Sequence, residues 1–477
     1  MTRRLLVILL CFFISFGLVT CSNDSSVSNL NSKPAKTAQQ QSKADVTIWF
    51  NQGFLPEENN VPAALVRKWE KESGFTANLT LISDSGIKSE LQKAIANGTT
   101  PDILYNPSGD LTLFPKLAWQ NVLADVSDIL EPIKQDYTPL ALESAHYWNN
   151  TSKKRSYYAV PIAQQLLHIS YWRDMLTAAG LTDAAIPSDW NGFWGFWEKA
   201  QTILRAKGRT ELYATGLDMS PLATDTFWQF EHVLEAFDAK LVDQDGNLLI
   251  DDPAFRIKLV TALTGFTKAF KGGYVPPNST EWTDSGNNNS FLSREVIMTP
   301  NASLSIPLTQ KFENNVYNRV STDAYLNKIG TLKYPDKPNN QKMPSIASFK
   351  QMVMFDSAVN KTAAKSLLKF FIQPENLNEF LKRANKGRFL PVMTKLFQDP
   401  FWNNPSDPHI SAGMKQALGI TRPFAFVYNP AYSDILSQNI WGKVIASIVK
   451  DNVTPDQAAD NAIADIKKIF ADWKKNA

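Results

Sequence analysis

The sequence predicts an α/β protein that is built around a parallel sheet and divided into two lobes. Between residues 46 and 105, extended segments rich in β-branched and aromatic residues alternate with amphipathic helices. Such alternation is typical of parallel sheets with right-handed crossovers. The length of 477 residues exceeds what one hydrophobic core usually encloses, so a second lobe is expected. With 44% hydrophobic and 20% charged residues, the composition is that of an ordinary folded protein.

The first part of the chain predicts polar side chains at the ends of neighbouring strands. The predicted segments are strands at 46–50, 79–82 and 101–105 and helices at 61–73 and 86–97. Ligands of such sheets gather at the carboxyl ends of the strands. We therefore expect Asn51 and Gln52 to lie beside residues 106–110.

The remainder of the chain is predicted to be mostly helical. An extended run at 157–170 is interrupted by Pro161, and short strands separate some of the later segments. The predicted helices are 187–207, 225–237, 253–271, 362–371, 374–385 and 455–474.

The first residues are typical of a secretory signal. Arg3 and Arg4 precede an apolar run at 5–16 that is too short to span a bilayer comfortably, so residues 1–20 are predicted to be a signal peptide. The charge of the whole chain is +3, and removal of this signal leaves it nearly neutral. Nothing in this balance indicates nucleic-acid binding.

Cys21 stands directly after the predicted signal. Leu-Val-Thr-Cys at 18–21 resembles the lipobox of bacterial lipoproteins, although Thr20 occupies a position where Gly or Ala is usual. We expect lipidation of Cys21, with ordinary cleavage to a free periplasmic protein as the alternative. Residues 21–44 are rich in Ser, Asn, Gln, Lys and Ala and are predicted to be a disordered tether.

Common catalytic and metal-binding motifs are missing from the sequence. Its four histidines are scattered without metal-ligand spacing and its two cysteines lie at the N-terminus, so we expect no metal and no cofactor. The acidic pairs at 57–58 and 251–252 leave a secreted glycoside hydrolase as an alternative, but no sequence feature places two carboxylates at the required separation. A surface adhesion or scaffold protein is a further alternative.

Polar residues interleaved with aromatic ones favour a site for carbohydrate. Amide and carboxylate groups pair with sugar hydroxyls, while an aromatic ring covers the apolar face of the sugar. The segments with this pattern are 51–52, 105–110, 158–165, 227–228 and 282–284.

Four collinear segments resemble the solute-binding proteins of carbohydrate ABC importers, extracellular family 1. The resemblance covers about residues 45–475. Its segments are Pro-Asp-Ile-Leu at 101–104 with Asp110; 158–165 with 169–174 and 178–181; 291–303; and 363–371 with Pro374, Phe380 and Gly-Arg-Phe-Leu-Pro at 387–391.

This resemblance implies a type II periplasmic-binding-protein fold, in which two hinged α/β lobes enclose a ligand cleft. Crossovers are expected near 159–161, 330–334 and 388–391. Lobe one is then 45–159 plus 334–388, and lobe two is 161–330 plus 391–475. The implied substrate-binding residues are Asn51, Gln52, Asp110, Gln165, Phe227, Trp228, Asn301, Ser303, Arg388 and Tyr432.

The implied function is capture of a small neutral carbohydrate, such as a mono- or disaccharide or a glycosyl-polyol, for delivery to the permease subunits of an ABC importer. The resemblance further implies a monomer outside the cytoplasmic membrane that has no enzymatic activity. A phosphorylated glycerol-type solute is the alternative within this class, and Arg388 is the cation that it would use.

Overall fold

The computed structural model describes residues 44–312 and 319–475; the predicted signal peptide, Cys21 and nearly all of the tether lie outside these ranges. The strands are β1 Val46–Asn51, β2 Ala77–Ile82, β3 Ile103–Asn106, β4 His146–Asn149, β5 Lys154–Tyr157, β6 Val160–Leu166, β7 His168–Trp172, β8 Tyr213–Thr215, β9 Val296–Asn301, β10 Ile329–Leu332, β11 Ser345–Met354 and β12 Thr421–Pro423.

Nineteen α-helices are found in the described ranges, joined by short 3-10 and π turns. They are α1 Pro56–Ser73, α2 Asp84–Asn97, α3 Gly109–Thr112, α4 Phe114–Trp119, α5 Ser127–Leu130, α6 Pro139–Ser144, α7 Arg173–Ala179, α8 Trp190–Ala206, α9 Thr224–Ala236, α10 Pro253–Lys271, α11 Gly286–Leu292, α12 Ser305–Phe312, α13 Arg319–Asp323, α14 Lys361–Phe371, α15 Pro374–Glu379, α16 Pro408–Ala417, α17 Tyr432–Ser437, α18 Ile440–Lys450 and α19 Pro455–Lys475.

The chain forms two larger sheets, each of which defines one lobe. The larger-sheet lobe holds the order β12-β11-β3-β1-β2, with β6 also paired to β11. In this sheet β1 is parallel to both β2 and β3, as the alternation of strands and helices predicts. The smaller-sheet lobe holds the order β10-β7-β9-β8, and each sheet is covered by its own buried hydrophobic cluster.

The chain passes between the two sheets later than the sequence predicts at the first of three places. Because β6 stays paired with β11 as far as Leu166, the first passage lies at Leu167 and not at 159–161. The second passage lies between β10 and β11, close to the expected 330–334. At the third, Leu390 still bridges Gln164 in the larger sheet, and α16 then meets β10 of the smaller sheet through the His409–Thr331 contact before β12 returns to pair with β11.

Most predicted segments correspond to an observed element, and the differences have local causes. Helix α1 begins at Pro56, five residues before the predicted start, because the Leu55 N–H donates to the Glu58 carboxylate at 3.0 Å and so caps the first turn. The predicted helix at 374–385 is α-helical only to Glu379 and continues as a π turn. Among the described helices, none combines the length and the apolar character that a membrane crossing requires.

Asp102 holds the strands of the larger sheet together. One oxygen of its buried carboxylate accepts from the Thr47 N–H and from the Thr47 hydroxyl, both at 2.7 Å, and the other accepts from the Val359 N–H at 3.0 Å. This contact links β1, β3 and the loop before α14. It explains why an acid stands directly before the apolar strand at 103–106.

We predict that Asp102→Ala lowers the free energy of unfolding by about 2–4 kcal/mol, because it leaves three hydrogen-bond donors without their acceptor. The measurement is urea unfolding followed by circular dichroism. Asp128→Ala is the control, since Asp128 pairs with Lys365 at the surface and such pairs contribute less than about 1 kcal/mol. Equal losses in the two variants would contradict this role of Asp102.

Candidate functional site

Polar side chains gather where the strands of the larger sheet end. Asn51 ends β1, Asp84 begins α2 directly after β2, and Asn106 ends β3. The Asn51 Oδ1 atom is buried and has no hydrogen-bond partner in the described chain. Asp84 is exposed to solvent, yet desolvation by the surrounding protein raises its pKa. A side chain that is both accessible and closely surrounded indicates the wall of a cleft.

Strand β11, which is buried along its whole length, pairs with β3 next to these strand ends. The Asp110 carboxylate accepts from the Ser348 hydroxyl and from the Phe349 N–H, both at 2.7 Å, and its second oxygen, Oδ1, is unpartnered. Burial raises the pKa of Asp110, and nearby Lys350 opposes this effect. Burial also lowers the pKa of Lys350 to about 8, while its ammonium donates to the Pro107 carbonyl at 2.6 Å.

Three carboxylates of the smaller-sheet lobe lie close to one another. Asp218 is fully buried and accepts from the Gln229 amide at 2.8 Å, while its Oδ1 has no partner in the described chain. Asp284 accepts from the Thr224 N–H and hydroxyl at 2.5 and 2.8 Å. Desolvation, with a further contribution from the charge of Asp284, raises the pKa of Asp225 to about 7.

One acid of each lobe influences the other through its charge. Desolvation is the main cause of the raised pKa of Asp84, and the charge of Lys350 opposes it. The negative charge of Asp284 raises this pKa further, so Asp84 and Asp284 lie within electrostatic reach of each other across the lobes. We call Asp84, Asp218, Asp225 and Asp284 the four-acid cluster. Chemically, it offers carboxyl groups that exchange hydrogen bonds with the hydroxyl groups of a ligand.

Amide and hydroxyl groups border the cluster at the end of β9. The Asn301 amide donates to the Ser303 carbonyl at 2.8 Å and to the Ser305 hydroxyl at 2.9 Å, while Asn287 donates to the Pro300 carbonyl at 3.0 Å. The neighbouring Asn288 Oδ1 atom is buried without a partner. The expected residues Asn301 and Ser303 therefore lie in one polar segment.

Arg388 is engaged by the protein itself. Its guanidinium donates to the buried carboxylate of Glu58 and lies over the ring of Phe389, 4.6 Å from the centroid. Gly53 makes room for Glu58, because a Cβ atom at this glycine would approach the Glu58 Cβ to 2.2 Å. This arrangement attaches the Arg388 segment to α1.

Phe227, Trp228 and Tyr432 lie in the packed interior of the smaller-sheet lobe. Phe227 packs against Phe424 and Phe426 at centroid distances of 6.1 and 6.0 Å, Trp228 meets Phe424 edge-on, and the Tyr432 hydroxyl donates to Glu231 at 2.6 Å. All three are at most 3% exposed.

The remaining expected residues are on the larger-sheet side. Gln52 is exposed after β1, and Gln165 is half-buried in β6, opposite Ser348. The sequence interpretation missed Asp84, Asp218, Asp225, Lys350 and the exposed ring of Phe54. Asp84 and Asp218 follow strand ends, so the rule that identified Asn51 also applies to them. Lys350 lies within a continuous buried strand and gave no such signal.

The lobes also meet beside the site. The Lys116 ammonium in α4 donates to Asp434 in α17 at 2.6 Å, and the Trp473 indole donates to the same carboxylate at 2.6 Å. Trp119 packs edge-on against Trp473 at 6.0 Å. This rim contact joins the larger-sheet lobe to the C-terminal helices.

Comparison with known proteins gives one family and a consistent group of solved structures. Residues 64–412 match the model of the bacterial extracellular solute-binding proteins, while no curated protein matches the chain. Among solved structures, the chain is similar to an ABC transporter solute-binding protein of Thermotoga lettingae bound to α-D-tagatose, with 19% identity, a TM-score of 0.69 and coverage of 90% of this chain and 100% of that one.

Two further structures agree. Maltose-bound MalE3 of T. maritima has 17% identity and a TM-score of 0.67, covering 89% of this chain and 100% of that one. A sugar transporter protein of Arthrobacter chlorophenolicus with bound laminaribiose has 14% identity and a TM-score of 0.67, covering 89% and 98%. These likenesses confirm the predicted two-lobed α/β fold, and the family match confirms the resemblance read from the sequence.

We predict that Asp225→Asn stabilises the protein more at pH 8 than at pH 4.5. The raised pKa of about 7 means that the folded state retains a proton which the unfolded state has lost, so stability falls as pH rises from about 4 to 7. The substitution removes this loss, and because the pKa is raised by about 3, it should give a gain on the order of 4 kcal/mol at pH 8.

Chemical denaturation at the two pH values measures this difference. Asp465→Asn, at an exposed position of α19, is the control and should change stability equally at both. A gain for Asp225→Asn that does not depend on pH would refute the assignment.

Proposed function

The chain belongs to the bacterial extracellular solute-binding proteins, and we propose that it is the substrate-binding component of an ABC importer that captures a small neutral carbohydrate between its lobes. A mono- or disaccharide or a glycosyl-polyol is the proposed solute. The protein binds this solute without transforming it. Both the solute class and the absence of catalysis are inferences from the chemistry of the site.

Unpaired hydrogen-bond acceptors are the observation that carries the proposal. Asn51, Asp110, Asp218 and Asn288 each have a buried side-chain oxygen without a partner in the described chain, and these residues come from both lobes. A buried acceptor that lacks a donor is costly. The solute that relieves this cost must present several donors in a small volume, which is the chemistry of a polyhydroxylated ring.

Phe54 supplies an aromatic surface beside these acceptors. It lies three residues after Asn51 and two after Gln52 and is 94% exposed, which is unusual for a ring of this size. Sugar rings carry apolar C–H faces that pack on aromatic side chains. We infer that Phe54 covers one face of the solute.

An anionic solute is disfavoured by the charges at the site. Arg388, the cation that a phosphate would use, already pairs with Glu58. A fully ionised phosphate also has no proton to donate to the unpaired oxygens. The bound tagatose, maltose and laminaribiose of the similar structures support the same choice.

Closure of the two lobes on the solute is proposed as the signal to the permease. A ligand can favour the closed form only if it contacts both lobes there, because equal affinity for both forms shifts nothing. The rim contact of Lys116 with Asp434 adds to the closed arrangement. We further propose that the protein acts as a monomer outside the cytoplasmic membrane, held there by a lipid on Cys21.

We predict a thermal shift of several degrees with one neutral sugar from a panel of monosaccharides, disaccharides, glycosyl-polyols and phosphorylated glycerols. A ligand at about 100-fold its Kd adds roughly 2.7 kcal/mol to the free energy of unfolding. Differential scanning fluorimetry measures the shift. Phe54→Ala should weaken binding of that sugar about tenfold. Phe75→Ala, which lies just beyond the other end of α1, should not weaken it.

Two outcomes would contradict the proposal. A shift with phosphorylated glycerols alone would exclude a neutral solute. Release of monosaccharides from a bound disaccharide, abolished by Asp225→Asn, would establish a glycoside hydrolase in place of a binding protein.

A further inference from the structure

A second groove lies in the smaller-sheet lobe, formed by residues other than the four-acid cluster and the polar segment at the end of β9. It runs between α8 and α10 and has a volume of about 730 Å³, within the range of small-molecule sites. Three tryptophans of α8, Trp190, Trp194 and Trp197, line it together with Phe237 and Tyr274. Trp190 meets Trp194 and Phe237 edge-on at 5.7 and 5.8 Å.

Two glycines in the middle of helices keep the groove open. Gly195 of α8 and Gly265 of α10 both line it. A Cβ atom at Gly195 would meet nothing within 4 Å, and one at Gly265 would only touch the ring of Phe237 at 3.8 Å. Neither residue is therefore required by close packing, although glycine in a helix interior is unfavourable. A larger side chain at either position would reduce the volume of the groove.

The walls contain hydrogen-bond donors that the protein does not use. The indole N–H groups of Trp194 and Trp197 are buried and have no acceptor in the described chain. Buried indole N–H groups usually find a partner. Glu198 and Lys268 also line the groove, and the pKa of Glu198 is raised by desolvation, which Lys268 opposes. The groove thus combines aromatic faces with unpaired donors and a rim of both charges.

The third wall is fixed in place by a buried ion pair. Pro338 lines the groove, and the preceding Lys337 donates to Glu235 at 2.6 Å and to Asp238 at 2.7 Å. Lys337 and Glu235 are both almost inaccessible to solvent. The segment that connects β10 to β11 is therefore held against α9, and the groove is formed before any ligand arrives.

From these features we propose that the groove binds pyranose units of an oligosaccharide at a site separate from the solute cleft. A pyranose has an apolar C–H face for the aromatic walls and hydroxyl oxygens that accept from the unpaired indoles. A purely apolar ligand would leave both donors unpaired. The site would hold this protein against a glycan that is longer than the solute it captures.

The test uses the protein labelled with 5-fluorotryptophan and observed by ¹⁹F NMR. Single Trp→Phe variants at positions 190 and 194 assign the two resonances among the 13 tryptophans. The probes are maltohexaose and cellohexaose, which carry α- and β-linked glucose. We expect a saturable shift of both resonances with at least one hexaose, and affinity at least tenfold weaker in Gly195→Leu.

Gly195→Leu adds a large side chain to an exposed position that lines the groove and also replaces an unfavourable helix residue, so the fold is expected to persist. Lys199→Leu is the matched control, because it adds the same side chain to an exposed position of α8 that does not line the groove. The control should bind as the parent protein does. Asp84→Ala should also retain the shift, since Asp84 belongs to the cleft.

Three results would overturn the proposal. The first is that neither hexaose gives a saturable shift of the two resonances. The second is a shift with the same affinity in Gly195→Leu, which would show that it originates elsewhere. The third is a shift with decanoate and none with the hexaoses, which would indicate an apolar ligand. A variant that no longer binds solute in the cleft should still show the ¹⁹F shift of the groove. Failure of the proposed function can therefore be distinguished from failure of the groove proposal.

Discussion

Strand β11 is the constraint on which the larger-sheet lobe and its side of the site depend. All ten of its residues are buried, and it pairs with β3, β6 and β12. A strand enclosed in this way must satisfy its polar side chains internally, and it does so towards the site: Ser348 donates to Asp110 and Lys350 donates to the carbonyl of Pro107. The loop that follows β3 is thereby fixed in position.

Opposite this fixed side, the smaller-sheet lobe presents carboxylates that burial keeps from ionising easily. The pKa values of Asp218 and Asp225 are raised first by desolvation and then by the neighbouring acids. The Lys116 contact with Asp434 joins the two lobes beside these acids. We propose that a solute which hydrogen-bonds to the acids and to the strand ends of the larger sheet favours the closed form of the protein.

Much of the fold was predictable because local signals and tertiary structure agree. The parallel strands β1 to β3, with their intervening helices, follow from hydrophobic periodicity and from the glycines that end α1 and α2. The passages between sheets were harder to place, because β6 and β7 follow one another in a single extended, mostly buried segment. Only the pairing of β6 with β11 and of β7 with β9 shows where one lobe ends and the other begins. The same limit applied to the site. Phe227 and Tyr432 belong to a sequence pattern that is typical of sugar sites, yet both side chains pack in the core. Asp218 belongs to the four-acid cluster, but the strand that precedes it has only three residues and so gives little signal in the sequence.

We propose that one neutral solute engages both lobes at the strand ends. Hydrogen–deuterium exchange, measured with and without the sugar that gives the largest thermal shift, tests it directly. We predict slower exchange at 51–55, 83–87 and 106–112 in the larger-sheet lobe and at 216–226, 284–289 and 301–305 in the smaller, with no change at 190–198 in the aromatic groove. Protection confined to one lobe, or to the groove, would contradict capture between the lobes.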